Sequence, residues 1–261
     1  MNSDSRIEAA SAELASRYRQ QVRGGALNPD QQPADIGEAL QVQQRVRASL
    51  GAAVGGWKCS LPTPEKTILA PLYAERISFA DKTARCQAPE LNGMIEIEPE
   101  IAYLIGGDLP PRATPYSLQE VLGMVASTHL VFELIGSRYA DRTAQPFPSM
   151  LADRLANHGL FVGPAIASGA SEDTALGAFG LQLTTPQGVA GQWKGKHPDG
   201  HPWKPLHWLA NFLAANGGGL KRGEMVTTGS YHGVILIPAG VPVEMQFGTL
   251  GKLGVTVDPA R

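Results

Sequence analysis

Hydrophobic and polar positions follow two periods along this chain. Residues 5–22 mix Ala with Glu, Arg and Gln at helical spacing, up to Gly24-Gly25. Beyond a Pro-containing loop, Asp35 stands three residues before Glu38, a capping-box-like start. Ala39, Val42, Val46 and Leu50 then recur at helical spacing, with Gly51 as the stop. The first fifty residues therefore predict two helices. From Gly55-Gly56 onward the pattern changes, and 57–105 carry short apolar runs broken by Pro, Gly and Asn, as in strands. Ser117 and Glu120 open a capped helix with Leu118, Val121, Leu122 and Val125 on one face. His129–Ile135 reads as a strand stopped by Gly136, and 157–193 as further short strands. Pro205–Asn216 predicts a helix burying Leu206, Leu209 and Leu213, ended by Gly217-Gly218-Gly219. Val226–Val257 is strand and turn. The expected class is α+β: a helical N-terminal segment over residues 1–55, then a β-rich body over 56–261, forming one compact unit.

Composition narrows the function. A hydrophobic share of 43% with a formal net charge of −2 supports a packed core rather than disorder. The balance of 22 Lys+Arg against 24 Asp+Glu gives no electrostatic basis for binding nucleic acid. With 30 Gly and 20 Pro beside only 18% charged residues, the chain predicts many turns and extensive burial, partly between subunits. Cys59 and Cys86 are too few for a disulfide scaffold. Met1–Arg23 lacks the apolar core of a signal peptide, and no uncharged apolar run approaches the ~20 residues of a membrane span. The expected location is the cytoplasm.

Ile95-Glu96-Ile97-Glu98-Pro99-Glu100-Ile101 alternates strictly. On a strand this puts Glu96, Glu98 and Glu100 on one face, with neighbours roughly 6.5–7 Å apart. Such a face is relieved by solvent, by protons or by a cation, and hard cations take carboxylate oxygens. Pro99 lacks a ladder donor, which predicts an edge or bulged strand. Glu133 lies within the apolar run His129–Ile135, where an unpaired carboxylate is costly. Either a metal or an ion pair with Arg138 resolves that cost. Two carboxylates on one strand and a third on another make an open oxygen site.

These residues resemble a known family. Glu98-Pro-Glu100-Ile-Ala-Tyr followed by Phe-Glu133-Leu-Ile-Gly-Ser-Arg138 is similar to the E-x-E…E metal site of the fumarylacetoacetate hydrolase superfamily. The branch resembled is that of 2-keto-4-pentenoate hydratases and 4-oxalocrotonate decarboxylases. Gly56-Trp57-Lys58 matches its G-x-K segment, and Asp153 to Asn157 with Gly159-Leu-Phe-Val-Gly163 its D-N-A-S…G-x-x-V-x-G stretch. Gly200-His201-Pro202 with Trp208-Leu209-Ala210, and Leu220 to Ser230, follow in order. The resemblance spans residues 35–257. It implies a mixed β-roll, Mg2+ or Mn2+, homo-oligomers and small-molecule substrates with a 2-keto or 2-hydroxydienoate head. By position, Glu98, Glu100 and Glu133 are the implied metal ligands and Lys58 the active-site lysine, carrying protons if burial lowers its pKa. Glu96 has no counterpart. Arg138, Asn157, Thr228 and Ser230 are the implied substrate-binding groups.

The sequence departs from the family in three places. Lys58-Cys59-Ser60-Leu61 replaces K-x-G-L-T, no acid occurs in Thr67-Ile68-Leu69-Ala70, and D-N-A-S becomes Asp153-Arg154-Leu155-Ala156-Asn157. His158 and His232 are candidates to replace the lost acid, with His158 taken as catalytic. His197 and His201 flank Pro198-Asp199-Gly200, a turn rather than a zinc helix. The implied activity is a metal-dependent lyase hydrating a 2-hydroxy-2,4-dienoate to a 4-hydroxy-2-oxo acid. The alternatives are 4-oxalocrotonate-type decarboxylation, acylpyruvate C–C hydrolysis and a non-catalytic partner subunit of the same fold.

Overall fold

A computed structural model describes residues 2–167 and 174–260. Part of the expected strand region 157–193, residues 168–173, lies outside the described residues. The chain opens with α1 (Ser3–Gln20) and α2 (Ile36–Leu50). The Asn2 side chain caps α1, and Asp35 caps α2 by accepting from the Glu38 amide at 2.9 Å. Gly51, at φ 64°, ends α2 as its sequence predicts, whereas α1 stops earlier than expected, at Gln21 in the left-handed region. Ile7, Leu14, Ala39, Val42 and Val46 form one apolar cluster with Tyr139 and Leu151 of the body.

Six strands follow: β1 (Val54–Cys59), β2 (Leu69–Tyr73), β3 (Ile77–Phe79), β4 (Arg85–Ala88), β5 (Glu90–Leu91) and β6 (Met94–Ile105). Next come α3 (Leu118–Gly123), β7 (Val125–Ile135), α4 (Phe147–Ala152) and β8 (Asn157–Ala165). The capping box of Ser117 and Glu120 forms, but α3 ends at Gly123 and Val125 starts β7 instead of extending the helical face. The chain continues through β9 (Ala178–Thr185), β10 (Gly188–Lys196), α5 (Trp203–Ala215), β11 (Met225–Thr227), β12 (Ile235–Pro238), β13 (Pro242–Phe247) and β14 (Gly251–Pro259).

The larger sheet runs β2-β1-β11-β6-β7-β8-β3, with β12 and β5 added at the start of β6. β1 pairs with β11 and β3 with β8 in parallel, and the other pairs are antiparallel. The sheet curls until β2 lies against β8, a mixed β-roll. Gly56 sustains the tight β1–β11 contact, since a Cβ there would sit 2.0 Å from the Met225 carbonyl oxygen. Leu72, Ala102, Val131, Leu160, Val162 and Met225 form one cluster within the curl. The opposite face packs Ile95, Ile97, Ile101 and Phe132 against the second sheet, β10-β9-β13-β14-β4. Leu206, Leu209 and Leu213 of α5 are buried beside Tyr103 and Val226. This is the α+β class with a mixed β-roll that the sequence predicts.

The position of β6 corrects one expectation. It is a central strand, flanked by β7 on one side and by β12 and β11 on the other. β12 pairs with Met94–Ile97 and β11 with Ala102–Leu104, so Pro99 falls in the gap between them. The segment joining β11 to β12 fills that gap: Tyr231 donates its amide to the Pro99 carbonyl at 3.0 Å. A proline is compatible with a central strand here because its missing donor faces no partner strand. Among the described residues no helix is long and apolar enough to cross a membrane.

Candidate metal centre

The carboxylate face of β6 points into the roll. Pairing sets Glu98 directly across from Glu133 of β7, and Glu100 follows two residues on along the same face. The three carboxylates converge until one oxygen from each lies within 4.8 Å of the others. Glu100 and Glu133 are buried and Glu98 is half-buried. Glu96 leaves the cluster and forms a bidentate pair with Arg142, with one contact at 2.8 Å.

Like charges this close repel by about 3 kcal/mol per pair at an effective dielectric of ~20. Burial raises the pKa of both Glu98 and Glu100, and repulsion from Glu133 adds to it. Lys58 relieves part of the cost: its Nζ donates to Glu133 Oε1 at 2.7 Å. Burial alone would lower the lysine pKa, but Glu133, Glu98 and Glu100 override it and hold the ammonium form. The expectation of a lysine shifted down by burial is therefore corrected. The second Glu133 oxygen, Oε2, is buried and has no hydrogen-bond partner. A buried carboxylate with one oxygen unpartnered, converging with two further carboxylates, fits a divalent cation, which takes oxygen ligands.

Glu133 is held by Lys58 and by Asn157, whose Nδ2 donates at 2.9 Å, and not by Arg138. Arg138 instead grips Asp153 through Nε and donates to the carbonyls of Gly136, at 2.6 Å, and Asn157, at 3.0 Å. Asp153 also takes the Ser137 hydroxyl and the Arg138 amide. The Arg138–Asp153 pair is buried and ties strand ends together, so the Glu133–Arg138 ion pair weighed against a metal does not form, and the expected substrate-binding place of Arg138 is corrected.

Arg154, Leu155 and Ala156 have φ of 55°, 53° and 61°, three consecutive left-handed residues of which none is glycine. Each such residue costs about 1–2 kcal/mol, and strain of this kind collects at functional sites. The turn brings the Leu155 carbonyl within 3.5 Å of Lys58 Nζ and delivers Asn157 to Glu133. A register shift then interrupts the β7–β8 ladder between Leu134 and Ile135. A bulge re-aims side chains: Asn157 reaches the cluster while His158 lies beside Pro89 and Ala260. His158 is thus not among the groups around the glutamates, which corrects its expected catalytic place.

The end of β11 and the residues after it show the same one-residue effect. The Thr227 hydroxyl donates to Glu100 Oε2, and the Gly229 amide reaches the same oxygen at 3.0 Å. Thr228 turns the other way, to the Ile101 carbonyl at 3.3 Å, and Ser230 Oγ closes its own turn onto the Gly233 carbonyl at 3.1 Å. The Ser230 hydroxyl, expected to bind substrate, is thus committed to the backbone, as is the Thr228 hydroxyl. His232 is exposed and lies against Trp193. Thr227, Arg142 and Asp199 are the polar groups here that the sequence reading did not single out. Asp199 Oδ2 accepts from Ser60 Oγ at 2.8 Å and from the Leu61 amide at 2.9 Å, just beyond Lys58. Its only sequence signal is the Pro198-Asp199-Gly200 turn. Cys59 and Cys86 are free and buried.

No family model matches the chain. It is 30% identical to a 2-hydroxyhexa-2,4-dienoate hydratase from Comamonas testosteroni over 60% of this chain, spanning 58% of that protein. It is 26% identical to a 2-keto-4-pentenoate hydratase from Paraburkholderia phymatum over 97% of this chain and 98% of that one. Its fold matches that of 4-oxalocrotonate decarboxylase from Pseudomonas putida G7, in a complex with magnesium and adipate, with a TM-score of 0.75 at 18% identity over 98% of both chains. The chain is thus similar in sequence to 2-hydroxydienoate and 2-keto-4-pentenoate hydratases, and shares the fold of 4-oxalocrotonate decarboxylase.

Proposed function

We propose that this protein is a divalent-metal-dependent lyase that hydrates a 2-hydroxy-2,4-dienoate to a 4-hydroxy-2-oxo acid. The observation that carries the reading is the convergence of Glu98, Glu100 and Glu133 with Lys58 inside the roll. Glu98, Glu100 and Glu133 would hold Mg2+ or Mn2+, which would supply Lewis acidity to the keto-acid head of the substrate. Thr227 and the Gly229 amide fix the Glu100 carboxylate, and Asn157 fixes Glu133. The apolar lining of Ala102, Val131, Leu160 and Val162 limits water to the reacting end of the substrate.

Lys58, held as ammonium, is the proton carrier at this site. Hydration needs one carbon protonated as the dienol loses its 2-hydroxyl proton to become a conjugated enone. Water then adds with its hydroxyl at C4 and a proton at C3, so atoms balance without an oxidant. Asp199, bound to Ser60 and Leu61 at the end of the Lys58 strand, takes the place of the acid absent from 67–70 in this reading. The likeness in fold to 4-oxalocrotonate decarboxylase supports a second reading, in which the same site releases CO2 from an oxo-diacid.

The test is incubation with 2-hydroxypenta-2,4-dienoate and, separately, with 4-oxalocrotonate in Mg2+. Loss of dienoate absorbance without CO2 is expected for the hydratase. CO2 release from 4-oxalocrotonate alone establishes the second reading. Inertness toward both, with metal bound, contradicts both lyase readings and leaves acylpyruvate hydrolysis or a non-catalytic subunit.

A further inference from the structure

Beyond the left-handed turn lies a second charged cluster, of opposite sign to the glutamates. A cavity of about 70 Å3 opens between the end of α1 and the start of β8. Arg17, Arg23, Arg76 and Arg138 line it together with His158, and among the described residues no carboxylate does. Two of the four guanidinium groups are already committed: Arg17 to Glu13 at 2.7 Å and to the Gly25 carbonyl, and Arg138 to Asp153. Neither Arg23 nor Arg76 has a carboxylate within ion-pair distance among the described residues. Arg76 donates to the Tyr18 hydroxyl at 3.1 Å.

The groups just behind the cavity share this excess of positive charge. Arg154 is 2% exposed, has no carboxylate partner among the described residues, and lies over the Tyr73 ring at 3.9 Å. Its Nη2, the Tyr73 hydroxyl and His158 Nε2 are all buried without hydrogen-bond partners. Buried cations are ordinarily paired, and buried donors ordinarily satisfied. Burial, and then Arg76, Arg138 and Arg154, push the His158 imidazole down to about 3, so it is neutral at physiological pH and one ring N–H remains to donate.

We propose that this cavity is a binding site for a small oxyanion, a carboxylate or a phosphate, held by Arg23 and Arg76 with His158 within. Arginine suits the role because its fork of donors matches a carboxylate or phosphate edge. The volume admits an anion of that size. The proposal does not rest on the metal reading, since none of the three glutamates lines the cavity.

Calorimetric titration of the full chain with sodium phosphate, and separately with sodium acetate, at ionic strength fixed by sodium chloride, tests it. The expected result is saturable binding of at least one anion, in Mg2+ and again in EDTA, weakened about tenfold or more by Arg76→Gln. The anion that saturates identifies the ligand chemistry. Arg23→Gln, at an exposed position, provides a second variant whose folding is not at risk and is expected to weaken binding as well. Absence of saturable binding overturns the site. So does binding that survives both substitutions, or binding that disappears in EDTA, which would assign the anion to a metal at the glutamates.

Discussion

Lys58 of β1 and Glu133 of β7 meet at 2.7 Å across the interior of the roll, although β11 and β6 separate their strands within the sheet. Curling the sheet brings them together. The contact pairs a buried carboxylate with an ammonium and leaves the second carboxylate oxygen without a hydrogen-bond partner, in a residue that converges with Glu98 and Glu100.

Lys58→Met removes the only buried positive charge bonded to the glutamates among the described residues. Breaking a buried pair costs about 3–5 kcal/mol, because the partner is left uncompensated. The metal-free variant is expected to melt below the wild type, and Mg2+ to raise its Tm more than that of the wild type, since the cation no longer competes with an ammonium. Turnover falls at least 100-fold. Melts with and without Mg2+ and steady-state rates check both parts; an equal Mg2+ shift in the two proteins would argue against competition at one site.

Thr227 and Thr228 are adjacent, but only Thr227 reaches Glu100. Removing a group that orients a metal ligand costs about 10–100-fold in affinity. Thr227→Val is expected to weaken Mn2+ binding at least tenfold, with Thr228→Val within a factor of about three of the wild type. Titration of Mn2+ into each variant decides it, and equal losses would contradict the assignment.

Asp153 is a structural anchor for Arg138 rather than a proton carrier. Asp153→Asn leaves a buried guanidinium without its counter-charge, so a loss of about 3 kcal/mol or more is expected. The urea midpoint measures this. An unchanged midpoint would contradict the anchoring role.

Two histidines are buried in neutral form. Burial, and then Arg76, Arg138 and Arg154, lower His158 to about 3; burial, the largest cause, lowers His197 to about 4. In the unfolded chain both take a proton near pH 6.5, before the folded state does. The unfolded state therefore binds more protons between those values, and stability falls as pH drops below about 6.5. The slope is about 1.4 kcal/mol per unit for each group, or about 2 kcal/mol each at pH 5. Glu98 and Glu100, raised by burial, titrate with the opposite sign, so the difference between the wild type and His158→Gln isolates the histidine. Urea midpoints from pH 7.5 to 5 should converge as pH falls, and parallel curves would contradict the assignment.

Local periodicity carried much of this structure. The alternation from Ile95 to Ile101 predicts which glutamates share a face, and the capping residues Asp35 and Ser117 start α2 and α3 where expected. Features decided by one residue of register were not legible. The bulge beside Ile135 sends Asn157 inward and His158 away, and a comparable step separates Thr227 from Thr228. Pro99 reads as an edge-strand signal because the sequence does not show two partner strands stopping on either side of it. The nearby Arg138 was the obvious partner for Glu133, yet the closed roll supplies Lys58, 75 positions away. Asp199 reaches Ser60 across 139 positions and has no local pattern to betray it.

The central claim is that Glu98, Glu100 and Glu133 together hold one divalent cation. Calorimetric titration of Mn2+ into the wild type and Glu133→Gln tests it most directly. One saturable site in the wild type, weakened at least 100-fold in the variant, is the predicted result. Equal Mn2+ affinity in the two proteins would contradict it.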